Sequence, residues 1–275
     1  MTILQALILG MVQGLTEFIP VSSSAHLIFV PWLFQWNDPA LNSLAFDVAL
    51  HLGTLVAVLI FFARDWMRVI RAGVASVLER KIGADADRRL AWFLVIGSIP
   101  GGIVGAIFES KIDALFHPPS ATTIIAIAIA LAVLGLILFL ADRLARHLRA
   151  FDDLALQDAI LIGLAQAFAI FPGVSRSGAT ITAGLALGLK REAAARFSFL
   201  LSTPIIAGAG AKSLLTIFSQ LRAGALASSE LILFPIGFLA ALVSGYACIK
   251  FLLRYLQTNS MNLFVYYRMA IAALL

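Results

Sequence analysis

Six stretches of the chain are nearly unbroken apolar runs: Leu44–Phe62, Leu90–Phe108, Ala121–Ala141, Ala193–Phe218, Leu231–Leu253 and Asn262–Leu275. A helix needs about 20 apolar residues to cross about 30 Å of hydrocarbon, so about six transmembrane helices are predicted, the last one short. Two further regions break the pattern. In residues 1–36 an apolar run is interrupted at Pro20 and at Ser22–Ser24. Its returning arm, Ala25–Gln35, reaches only about 16 Å at 1.5 Å per residue. In residues 155–189 the interruption runs from Pro172-Gly173 to Gly178, and the arm after it is again short. Both regions predict re-entrant helical hairpins, because broken backbone inside a bilayer is tolerated only where protein or a watery cavity covers it. The expected fold is all-α: a polytopic integral membrane protein forming one domain over residues 1–275.

Loop charge predicts orientation. Of the twenty Lys and Arg residues, fifteen fall on one side of the predicted spans, three on the other, and Arg176 and Arg268 lie within apolar segments. The positive-inside rule places the fifteen in the cytoplasm and both termini outside. A shift of 153 aligns Gln13, Phe18, Val21, Ser22 and Ser24 with Gln166, Phe171, Val174, Ser175 and Ser177. Three spans separate the hairpins, so the two copies enter from opposite sides. This predicts an inverted repeat, with pseudo-repeats over about 1–110 and 150–275, whose broken helices meet near the midplane as in transporters.

Composition supports the membrane reading. The chain is 61% hydrophobic and 13% charged, with a mean hydropathy of +0.98, where soluble domains carry about a quarter charged residues. No basic residue precedes the first apolar run, so a cleavable signal is not expected. The net charge of +5 does not point to nucleic acid, because the basic residues sit in short loops between spans. Cys248 lies in an apolar run and reads as a packing residue.

The two interruptions carry the candidate chemistry, since ionisable groups inside apolar spans are costly. In Pro172-Gly173-Val174-Ser175-Arg176-Ser177-Gly178, one helix ends and another opens. A helix N-terminus is an anion site. Arg176 adds a fork suited to two phosphate oxygens, and Ser175, Ser177 and Thr180 add hydroxyl donors. The plainer alternative is a capped break with a snorkelling arginine; the Pro-Gly break deep in an apolar region favours a phosphate site. Glu17, in the first hairpin, must pair, neutralise or bind a cation. Arg176 is one partner for it; a divalent metal, Mg2+ or Ca2+, is the other, since hard cations prefer oxygen ligands. His26 follows Ser22-Ser23-Ser24 and could act as general acid, general base or nucleophile, or simply be hydrogen-bonded.

With Gln13-x-x-x-Glu17, Pro-Val-Ser-Ser-Ser-Ala-His over residues 20–26 and Pro-Gly-Val-Ser-Arg-Ser-Gly-Ala-Thr over 172–180, the chain resembles the undecaprenyl-diphosphate phosphatases of the bacitracin-resistance type. The resemblance extends over the whole length. It implies hydrolysis of undecaprenyl diphosphate to the monophosphate carrier at the outer face of the bacterial cytoplasmic membrane, assisted by a divalent metal. By motif position it implies Glu17, Ser23, His26 and Arg176 as catalytic residues, with Glu17 the metal ligand. Gly173, Ser175, Arg176, Ser177 and Thr180 become substrate-binding. Some relatives have Glu where this chain has Gln13, so a second carboxylate is not available at that position. The expected partners are a polyprenyl diphosphate and membrane lipid, not nucleic acid, with a homodimer left open. A secondary transporter or flippase for a lipid phosphate is the rival reading, since inverted hairpins with a central anion site also suit a carrier.

Other polar residues are expected to be structural. Asp47 and His51, one helical turn apart, either line the cavity or bond each other, and the second reading is preferred. Arg268 could meet a phosphate or a neighbouring helix's carbonyls. The segment Arg64–Arg89 reads as a solvated cytoplasmic loop.

Overall fold

A computed structural model of the protein describes residues 2–36, 38, 41, 43–116, 120–222 and 233–275. The ends of the stretches expected over Ala193–Phe218 and Leu231–Leu253 fall partly outside the described residues or side chains. The described chain is helical: α1 Ile3–Phe18, α2 Ser23–Leu33, α3 Leu44–Phe61, α4 Ala63–Leu78, α5 Ala86–Phe116, α6 Ala121–Leu144, α7 Leu156–Ala167, α8 Arg176–Ala186, α9 Arg191–Arg222, α10 Phe234–Tyr255 and α11 Asn262–Leu274. Short 3-10 turns at Phe151–Asp153 and Phe168–Ile170 flank α7. Four helices, α5, α6, α9 and α10, are long and apolar enough to cross a membrane, and the bent pair α3–α4 makes up to five. The protein is a multi-pass membrane protein.

The sixth expected span is a 13-residue helix, α11, about 20 Å long. It is held against α6 by Arg268 rather than by apolar length. The solvated loop expected over Arg64–Arg89 is instead mostly the helix α4, bent 81° from α3. Met67, Ile70, Val74 and Val77 form one exposed apolar face on α4, while Val69 and Ser76 are buried on another. Ser76 accepts a hydrogen bond from the Trp92 indole on α5 at 3.0 Å. A helix with an apolar stripe beside Arg64, Arg68 and Arg71 fits the plane of a membrane interface; the segment is helical because its apolar residues recur at helical spacing between the charges.

The two interrupted regions are helical hairpins. Their arms span 16 and 11 residues in the first and 12 and 11 in the second, about 16–24 Å each. Small residues let the first arms sink between neighbours. A Cβ on Gly10 of α1 would stand 2.4 Å from the Gly237 carbonyl oxygen of α10, and one on Gly163 of α7 would stand 2.2 Å from the Gly97 oxygen of α5. Each hairpin is thus wedged against a long helix, the close small-residue packing that stabilises helices in lipid. At the base of the second hairpin, Arg149 makes a two-pronged ion pair with Asp158. The buried Asp142 carboxylate joins α6 to Arg191 of α9 at 2.6 Å and to the Met261 amide before α11 at 3.0 Å.

Candidate active site

The tips of the hairpins meet inside the molecule. Both second arms start on a serine at positive φ, Ser22 at 76° and Ser175 at 72°. Non-glycine residues adopt such angles rarely and at a cost of about 1–3 kcal/mol. Side-chain capping offsets that cost: Ser22 Oγ accepts from the Ala25 amide and Ser175 Oγ from the Gly178 amide. The serine two positions on repeats the pattern, with Ser22 Oγ 3.3 Å from Ser24 Oγ and Ser175 Oγ 3.2 Å from Ser177 Oγ. The tips then bond across. The Gly173 amide donates to Ser22 Oγ at 3.1 Å, and Ser177 Oγ donates to the Ile19 carbonyl at 3.0 Å. Gly173 sits at φ +95°, and a Cβ there would stand 2.8 Å from the Ala130 Cβ, so both conformation and room require glycine.

This junction brings Glu17, Ser23 and Arg176 together. Glu17, 7% exposed, accepts from Ser23 Oγ at 2.6 Å and from Gln13 Nε2 at 3.1 Å, both on Oε2. Its Oε1 lies 3.7 Å from Arg176 Nη1. That nitrogen is buried and has no hydrogen-bond partner among the described residues. His51 joins the cluster: its Nδ1 meets the Asp47 backbone carbonyl at 2.8 Å and its Nε2 lies 4.0 Å from Glu17 Oε2. The expected Asp47–His51 bond therefore uses the backbone, leaving the outward ring nitrogen beside the carboxylate. Arg176 borders two adjoining cavities. One, of 260 Å³, runs between α2, α3, α5 and α9 and includes Ser24 and His51; the other, of 440 Å³, lies between α5, α7 and α9.

Other expected site residues have partners elsewhere. Thr180 Oγ1 bonds Ser198 on α9 at 2.6 Å, Ser177 is committed to Ile19 and Ser175 to its cap. His26 is 3% exposed, with Nδ1 2.7 Å from the Ser22 carbonyl and Nε2 2.7 Å from the Tyr267 hydroxyl. A carbonyl only accepts, so Nδ1 carries the proton and Nε2 accepts from Tyr267. His26 thus ties the first hairpin tip to α11.

Arg268 is the residue whose role the sequence left open, and it goes to carbonyls. It is 1% exposed. Its Nε donates to Leu131 O at 3.0 Å, Nη1 to Pro20 O at 3.0 Å and Nη2 to Gly173 O at 2.8 Å. One guanidinium therefore fastens both hairpin tips to α6. The only signal in the sequence is a charge inside an apolar segment, which does not say what it bonds.

No group of three or more His, Cys, Asp or Glu side chains suited to a metal occurs among the described residues. The donors beside Glu17 nevertheless suit a hard cation. Gln13 Oε1 is buried without a hydrogen-bond partner among the described residues, while the same amide's nitrogen donates to Glu17. Gln13 would have to turn its amide over for its oxygen to join the Glu17 carboxylate at a hard cation, which would complete its shell with water and phosphate oxygens.

The family model described as "Bacitracin resistance protein BacA" matches residues 6–274. An undecaprenyl-diphosphatase of Moorella thermoacetica is 48% identical over 276 residues, all of this chain and 97% of the relative. One of Thermomicrobium roseum is 47% identical over 277 residues, with the same shares covered. A third, from Methanobrevibacter smithii, is 47% identical over 274 residues, 97% of this chain and 94% of the relative. Similarity of this extent, running through both hairpin tips, leaves one assignment: the chain belongs to the bacitracin resistance protein BacA family.

Proposed function

We propose that this protein hydrolyses undecaprenyl diphosphate to undecaprenyl phosphate and inorganic phosphate, recycling the lipid carrier for cell-wall polymers and conferring bacitracin resistance. The names of its relatives support the reaction. The single observation that carries it in this chain is Arg176 Nη1, buried without a hydrogen-bond partner among the described residues at the edge of a cavity, 3.7 Å from Glu17. A guanidinium held this way supplies donors to phosphate oxygens in a low-dielectric site, where fixed charge stabilises a transferring phosphoryl group most.

The Ser23–Glu17 hydrogen bond of 2.6 Å supports Ser23 as the nucleophile and Glu17 as its base. Ser23 Oγ bonds the terminal phosphorus, its proton passes to Glu17 Oε2, and the bond to the bridging oxygen breaks, releasing undecaprenyl phosphate. Water then hydrolyses the phosphoserine and restores the hydroxyl. Arg176 holds the non-bridging oxygens. His26 keeps Ser22, and with it the start of α2, in place. When bound by Glu17 and Gln13, a divalent cation supplies further positive charge against the phosphate oxygens.

The cavity walls come from the ends of α3, α5 and α9 near Asp47, Glu109 and Ser213, away from the basic clusters at Arg64–Arg89 and Arg143–Arg149. Basic loops mark the cytoplasm, so the site opens to the outer face of the bacterial inner membrane. The matching serine caps and the glycine-packed arms support an inverted pair of repeats. Purified protein in detergent, supplied with a polyprenyl diphosphate and Mg2+, should release phosphate and monophosphate in equal amounts. Absence of release under conditions where the protein is folded would remove the reading.

A further inference from the structure

Gln166 is the one residue at the hairpin junction whose whole amide goes unused among the described residues. It is 3% exposed, and neither its Oε1 nor its Nε2 has a hydrogen-bond partner. A buried amide left unpaired is costly, so native proteins complete such groups with protein, water or a ligand. Gln166 lines the 440 Å³ cavity between α5, α7 and α9, next to Arg176. Glycine keeps that cavity open. A Cβ added to Gly105 or to Gly208, both on its wall, would meet no described atom within 4 Å.

The neighbouring cavity shares Glu109, Ile170, Arg176 and Ala209 with this one but is lined by larger apolar side chains. Leu27, Ile28, Val48, Ile112, Phe116 and Ile206 form its apolar side, with Ser24, Asp47 and His51 also on its wall. An apolar wall suits the first prenyl units of a lipid. The glycine-walled chamber offers the Arg176 guanidinium, an amide that can both donate and accept, and at its rim Lys212, joined to Glu109 at 2.6 Å. That ion pair offsets the carboxylate charge which would otherwise repel an anion.

We propose that this second chamber is a phosphate site, in which Gln166 and Arg176 receive the terminal phosphate group of the substrate and retain it after cleavage as inorganic phosphate. Gln166 is then a substrate-binding residue in the second hairpin. The assignment rests on the proposed diphosphatase reaction for the source of the phosphate, but not for the binding itself. It gives the two products separate exits, the lipid along the apolar cavity and phosphate through the glycine-walled one.

The test is protection from labelling. In a Cys248→Ala background, Gly105→Cys places a thiol in the chamber, and a small hydrophilic maleimide reports its accessibility in detergent. Inorganic phosphate should slow labelling, with chloride at equal ionic strength having no effect. A short-chain prenyl methylenediphosphonate, whose terminal phosphate cannot be cleaved, should protect as well and so report the attached group. Adding Gln166→Glu, which puts a negative charge against the anion, should raise the phosphate concentration needed by at least about tenfold, the scale of a hydrogen bond to a charged group. Gly208→Val, which fills the chamber and alters no polar group, should weaken phosphate inhibition of turnover to a similar degree. No protection by phosphate in the parent variant overturns the proposal. So does protection that the Gln166→Glu change leaves unaltered. A protein that shows Gln166-dependent protection and yet hydrolyses no diphosphate would keep the phosphate site and lose the reaction.

Discussion

At the scale of single residues, the site depends on groups that are charged, buried and only partly paired. Arg176 keeps one nitrogen without a hydrogen-bond partner among the described residues, so its fork and not merely its charge should matter. Arg176→Ala should lower kcat/KM by about 10²-fold or more, and Arg176→Lys should recover little, because an ammonium cannot span two phosphate oxygens. Near-normal turnover by a folded Lys variant would refute the bidentate role. Glu17→Gln keeps an acceptor for Ser23 but removes the charge facing Arg176. It should lose most activity and need more Mg2+ for what remains, since the amide is a weaker ligand for a hard cation; an unchanged Mg2+ titration would exclude the ligand role. Tyr267→Phe leaves His26 Nε2 buried without its donor and should cost about 1–3 kcal/mol of stability. If His26 only positions the tip, the pH profile of the folded enzyme stays as it was, and a displaced profile would make His26 a participant in proton transfer.

At the scale of elements, the two tips are not self-supporting. Ser22 and Ser175 hold unfavourable backbone angles, and Arg268 gathers the carbonyls of Pro20, Gly173 and Leu131 around itself. Arg268→Ala would take this donor from the buried Pro20 and Gly173 oxygens at the tips, and Arg268→Lys supplies a point charge where a planar fork reaches three backbone segments. Both variants should melt well below the parent in detergent and lose activity together with stability. A fully stable Arg268→Ala protein would show that the tips hold without it. Gly163→Ala probes the wedge. Its Cβ would lie 2.2 Å from the Gly97 carbonyl oxygen, a distance backbone can relieve only by moving α7 off α5, so the variant should be destabilised by more than Gly208→Ala on α9, where a Cβ meets no described atom within 4 Å.

At the scale of the whole molecule, the proposal requires the hairpins to enter from opposite sides. With Cys248 replaced, cysteines at Gln35 and Ala150 should react with impermeant thiol reagents from opposite faces of the cell membrane, Gln35 from outside and Ala150 from the cytoplasm. Labelling of Gln35 only after permeabilisation would invert the orientation, and with it the outward opening of the cavity.

Much of this architecture was legible in the sequence. Apolar runs of membrane length identified the long helices, because lipid imposes a fixed thickness on any helix that crosses it. Pro20, Pro172-Gly173 and the serines identified the breaks, because proline and glycine act locally on the backbone and leave a local mark. Glu17 and Arg176 stood out because charge inside such a run is expensive wherever the run folds. The partners of those groups were not legible. That Arg268 fastens two tips 94 and 248 residues away from it in the chain, that His26 meets Tyr267, and that His51 comes beside Glu17 follow from which helices lie together. Side-chain hydrogen bonds act over about 3 Å, and sequence spacing fixes such distances only within one helix. Across helices they are set by packing, here by the glycine contacts that wedge α1 on α10 and α7 on α5. The sequence by itself determined which residues had to be buried and charged; the tertiary structure decided which of them meet.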